Sequence, residues 1–68
     1  MKLEENQRLY TKQLDGTIAV WFVFSQRGDD FCVSPRRNAK RRDYRKYFTI
    51  ADIGKTIFLT RKEAREAV

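Results

Sequence analysis

Arginine forks and tyrosine rings share one short stretch of this chain. Among residues 36–46, seven are basic (Arg36, Arg37, Lys40, Arg41, Arg42, Arg45 and Lys46) and Asp43 alone is acidic, giving +6. That equals the formal net charge of the whole chain, because elsewhere eight Lys/Arg are balanced by eight Asp/Glu. A guanidinium grips phosphate oxygens through two parallel N–H bonds, and an aromatic face stacks on a base. With Tyr44 inside the stretch and Tyr47 and Phe48 just after it, these residues suit recognition of nucleic acid, DNA or RNA, or of a nucleoprotein. The same local field would attract an acidic protein surface. The plainest alternative is a solvated, mobile loop whose charges do nothing specific.

Other chemistry has less support in the sequence. There is no histidine and a single cysteine, Cys32, so no metal-ligand set and no acid, base or nucleophile stands out. The expectation is a non-enzyme with no cofactor. Gly54, Lys55 and Thr56 resemble the end of a phosphate-binding loop, but Thr49 stands where an earlier glycine is needed. Arg27, Gly28 and Asp29 match a cell-adhesion tripeptide, and the same residue types are what a hairpin tip requires. Trp21 is the remaining candidate. If Ile18, Val20, Phe22 and Phe24 form the core face of their strand, Trp21 lies on the outer side as a stacking or partner-anchoring residue. Otherwise the C-terminal helix covers it.

These side chains need a frame, and 68 residues supply one small domain, 1–68, with a marginal core. Lacking disulfides, it depends on apolar burial, supplied by one Trp, five Phe, three Tyr and the aliphatic residues, with homodimerisation as a possible supplement to a monomer. The start, 1–7, is polar and acidic, unlike a signal peptide, and is expected to be frayed. The longest apolar run, 18–24, is too short to span a bilayer, so no membrane partner is expected.

Strands are predicted at 8–12 and 17–25, joined through an Asp15-Gly16 turn, then at 31–34 beyond a polar turn at 26–30. Ser34 and Pro35 would start a helix well, yet like charges repel along a helix, and Tyr44, Lys46, Phe48 and Ile50 alternate as in a strand. The preferred reading is a basic loop at 35–46 running into a strand at about 45–50. A further strand is predicted at 56–59. Thr60 then caps a helix at 61–68, with Glu63 completing a capping-box pattern and Ala64, Ala67 and Val68 forming a small apolar face.

The predicted fold is mainly β: a small antiparallel SH3-like barrel or curled sheet of four to five strands with one short C-terminal helix. Residues 51–68, with Asp52, Gly54, Lys55, Phe58, Leu59, Thr60, Glu63 and Ala64 among the matching positions, resemble a C-terminal DIGKTxFLTRxEA-type signature. It belongs to short hypothetical proteins of phages and mobile elements of Gram-positive bacteria. Asp15, Gly16 and Thr17 are also similar to the start of their central strand. The resemblance implies a phage or integrated-element origin and a small barrel with a closing helix; it implies no activity. The basic stretch and Arg65, where that pattern usually has Glu, depart from it. The cytoplasmic location, that of a bacterial host cell, is expected from the single Cys32, read as a buried small hydrophobe in a reducing compartment. Two functions follow as expectations. One is a phage or mobile-element accessory protein binding nucleic acid or a nucleoprotein through the loop; the other is a protein-binding inhibitor of a bacterial defence system, of the anti-CRISPR type.

Overall fold

The β-branched and aromatic run beginning at Ile18 is the frame on which the other strands assemble. In the computed structural model, which describes residues 2–67, β1 is Arg8–Lys12, β2 is Ile18–Arg27, β3 is Asp30–Ser34 and β4 is Lys46–Thr49. They form one antiparallel meander in the order β1-β2-β3-β4, curled into a half-barrel. A single 3-10 turn, Ile50–Asp52, follows β4, and one short helix, α1 (Arg61–Glu66), ends the fold. No helix among the described residues is long and apolar enough to cross a membrane.

Turn chemistry sets the register. At the first hairpin Asp15 Oδ1 accepts from the Thr17 amide at 3.0 Å and the Thr17 hydroxyl at 2.6 Å, while Gly16 adopts φ +90°. At the second, Arg27 pairs with Asp30 and Gly28 sits at the first central position with φ +61°, the sign that glycine permits there. The adhesion-like tripeptide is thus a tight hairpin tip, and the turn itself lengthens β2 to Arg27.

β2 is apolar on both faces, so its alternation alone cannot choose the buried one. Its neighbours choose. Leu9 pairs with Trp21, and Val23 pairs with Val33. Leu9, Val23, Phe31, Val33, Ile57 and Leu3 make the core, with Trp21 and Phe48 packed against it. The core face of β2 therefore carries Trp21 and Val23, which reverses the expectation for Ile18, Val20, Phe22 and Phe24. A one-residue change of register exchanges the two faces, and the fully buried Leu9 and Val33, paired with Trp21 and Val23, exclude it. A bulge between Val23 and Ser25 adds curl beside this core.

Three further expectations are corrected. The segment from Leu3 onward is tied down rather than frayed: Leu3 is buried in the core and its amide donates to Gln26 Oε1 at 2.7 Å. Residues 56–59 form no strand. Thr56 is still in a turn, its amide on the Asp52 carbonyl, and only the Tyr10–Phe58 and Ile53–Ile57 bridges form before Thr60. Finally, α1 ends at Glu66 with Ala67 as its cap, and Val68 lies outside the described residues.

Thr60 Oγ1 accepts from the Glu63 amide at 3.1 Å as expected, but Glu63 Oε1 takes its return bond from the Thr60 hydroxyl. Ala64 is fully buried, and α1 packs on β1 and β2. The Arg61 guanidinium lies 5.3 Å from the Tyr10 ring, and Lys12 Nζ donates to the Ala67 carbonyl at 2.8 Å. Tyr10 and Lys12 are on the face opposite Leu9, so α1 covers that face and does not cover Trp21.

Candidate nucleic-acid interface

The basic stretch is a loop, as preferred, and it is held in place. It leaves β3 at Ser34, which is fully buried and whose Oγ accepts from the Arg36 amide at 3.3 Å. That local turn uses the hydroxyl that a helix start would need. Asn38 follows in the left-handed region, φ +56°. Its amide donates to Asn6 Oδ1 at 3.0 Å, and Asn6 Nδ2 donates to Asn38 Oδ1 at 2.6 Å. Asn6 in turn pairs with β2 from the β1 side, through its amide and the Val23 carbonyl at 2.9 Å. The loop leaves on the β3 side of β2 and is pinned on the β1 side, so it lies across β2 as a strap.

Asp43 closes the strap's second turn. Its carboxylate accepts from the Lys40 amide at 2.8 Å, its amide donates to the Lys40 carbonyl at 2.9 Å, and Oδ1 lies 3.5 Å from Arg36 Nη1. The strap then runs into β4 by placing successive side chains on opposite faces of the sheet. Tyr44 meets Trp21 with ring centroids 6.3 Å apart. Arg45 lies over Phe24 at 5.0 Å, and Lys46 over Phe48 and Trp21 at 5.5 and 6.0 Å. Such cation–π contacts contribute about 0.5–1 kcal/mol each where partly exposed.

The seven expected cations thus divide by occupation. Arg36, Arg45 and Lys46 have partners within the fold. Arg37, Lys40, Arg41 and Arg42 are exposed, and among the described residues the only ion pair is Arg36–Asp43. Four cationic heads on one anchored strap, with no carboxylate neutralising them, are available to an external anion.

The aromatic residues divide likewise. Phe48 stacks on Phe31, 6.0 Å between centroids, and is taken up by the core. Trp21 is half-buried, and its indole N–H donates to Thr11 Oγ1 at 2.9 Å, so it supports Tyr44 and does not stand alone as an outer anchor. Tyr44 and Tyr47 remain 65% and 69% exposed. Tyr44 sits on the core side with Trp21, whereas Tyr47 pairs with Cys32 and projects from the other face.

Sequence reasoning missed Asn6 and Asn38 as anchors and Asp43 as the turn-former. Asparagine tolerates the left-handed region better than most residues, which was the available signal. Cys32 is buried with Sγ 3.3 Å from Ser25 Oγ, and no group of three or more His, Cys, Asp or Glu among the described residues is placed to share an ion. Compared with protein families, with curated proteins and with solved structures, the chain has no match.

Proposed function

We propose that this chain is a non-enzymatic accessory protein that binds nucleic acid, or a nucleoprotein, through the strap at 35–46. One observation carries the reading: Arg37, Lys40, Arg41 and Arg42 are exposed and unpaired on a strap that is itself anchored. Anchoring matters because a pre-positioned loop loses less entropy on binding. Attraction is mainly electrostatic, so affinity falls with salt by a log–log slope of about 0.9 per phosphate contact on duplex DNA and about 0.7 on single strands. Origin in a phage or mobile element is proposed on the resemblance of residues 51–68 alone, and a cytoplasmic site of action on the lone, buried Cys32.

The test is fluorescence anisotropy with labelled DNA and RNA at low salt, followed by a salt titration. Replacing Arg37, Lys40, Arg41 and Arg42 together with Gln is expected to abolish binding and leave the circular dichroism spectrum unchanged. Absence of binding to every nucleic acid at low salt overturns the reading. A host protein captured stoichiometrically after nuclease treatment would instead favour an acidic protein surface as the partner.

A further inference from the structure

We infer that the ligand is single-stranded, with its backbone on the strap cations and two bases stacked on Tyr44 and Tyr47 around the free edge of β4. This deepens the reading above and rests on it. Tyr44 and Tyr47 are the two large, exposed aromatic rings of the described chain. Three residues apart in an extended segment, they are separated by about 10 Å of strand. They project on opposite faces, Tyr44 toward Trp21 and Tyr47 beside Cys32. Nothing in the sheet lies between them on the outer side, because β4 is its last strand.

A duplex fits this geometry poorly. Its bases are stacked inward, it offers phosphates and groove edges to a protein, and it is stiff on the scale of this molecule. It could lie on the strap cations but could not give one base to each face of a strand. A single strand has unpaired bases and a flexible backbone, so it can cross the β4 edge and stack on both rings. Each ring also has the setting a stacking platform needs. Tyr44 is backed by Trp21 and flanked by Lys46. Beside Tyr47 is a groove lined also by Ser25, Arg27, Asp30, Phe31 and Cys32, where Arg27 supplies a cation and Asp30 a carboxylate that can accept from a base's amino group.

The experiment compares a labelled 12-nucleotide strand with the duplex of the same sequence, at matched salt, on wild type and on Tyr44→Ala, Tyr47→Ala, Tyr44→Phe and Tyr47→Phe. Single strand is expected to bind more tightly than duplex. Each Ala variant is expected to weaken single-strand binding about 5- to 150-fold, with the Phe variants near wild type and duplex binding unmoved. Trp21 is the only tryptophan and touches Tyr44, so single-strand binding should change its emission in wild type and not in Tyr44→Ala. Duplex binding as tight as single strand, or Ala variants that bind like wild type, overturns the inference and leaves nucleic-acid binding standing. Failure of both ligands to bind wild type removes the reading on which it rests.

Discussion

Asn38 fixes where the strap lies by two separate means, and substitution can separate them. Its left-handed backbone would cost alanine about 1–2 kcal/mol, while glycine adopts it freely. Its side chain supplies half of the reciprocal bond to Asn6, which both alanine and glycine remove. Asn38→Ala should therefore lower stability by more than Asn38→Gly in urea melts. Asn38→Gly should weaken nucleic-acid binding severalfold with an unchanged salt slope, since it loosens the strap, leaving only the amide bond to Asn6, and keeps every charge in place. Wild-type affinity in that variant would show that anchoring contributes nothing. Asp15 makes a second case, away from the strap. Hydrogen bonds from the Thr17 hydroxyl and then the Thr17 amide hold its carboxyl below the usual carboxylate range. A lowered folded value means the charged form supports the hairpin: that support is complete above the ordinary range and is lost as pH falls through the lowered value. In an NMR titration of the Asp15 carboxyl, Thr17→Val should move the midpoint back up toward the ordinary aspartate value.

At the scale of elements, α1 is too short to be a helix unaided, because nucleation consumes most of what six residues can return. Its existence depends on the Thr60 cap, the buried Ala64 and the docking of Lys12 on the Ala67 carbonyl. Thr60→Ala should cost about 1 kcal/mol and Thr60→Gly only a few tenths. In a domain of this size that is roughly a 4–8 °C drop in Tm for the alanine variant, and equal melting of the two would rule the cap out as the cause. The cap was legible because Thr60 and Glu63 have a local spacing with a local consequence. The same holds for β1, for the two hairpin tips and for the loop at 35–46, each decided by residues close in sequence. What was not legible depended on distant partners. The buried face of β2 was set by Leu9 and Val33. The division of the cations into occupied and free was equally hidden, since Phe24, Trp21 and Asn6 reach the strap only through the sheet.

On the scale of the whole molecule, charge and shape are out of balance in a way that melting should expose. The Cα radius of gyration is 11.3 Å, close to the roughly 11 Å of a fully compact chain of this length, and the strap is tied to the body at Asn38, Tyr44 and Arg45. The longest extent is 31 Å, comparable to the Debye length of about 30 Å at 0.01 M salt and far above the 8 Å or so at physiological strength. At low salt the strap charges repel one another in full, with one ion pair among the described residues to relieve them and a remainder of the chain that is neutral. Unfolding lets residues 36–46 stretch to at most about 36 Å, so the unfolded chain keeps part of the repulsion, and the folded strap, bent by turns at Ser34–Arg36 and Lys40–Asp43, carries the larger share. Raising NaCl from 0.01 to 0.5 M should therefore raise Tm by a few degrees, opposite to the response of a domain held by surface ion pairs. The variant with Gln at positions 37, 40, 41 and 42 should start from a higher Tm at low salt and gain little from added salt. A polyanion should stabilise wild type beyond the effect of salt alone, because binding to the folded state adds its own free energy, and should leave the Gln variant unmoved. If wild type and variant respond to salt alike, the strap is not the seat of the repulsion, and its cations are not concentrated enough to draw a nucleic acid from solution.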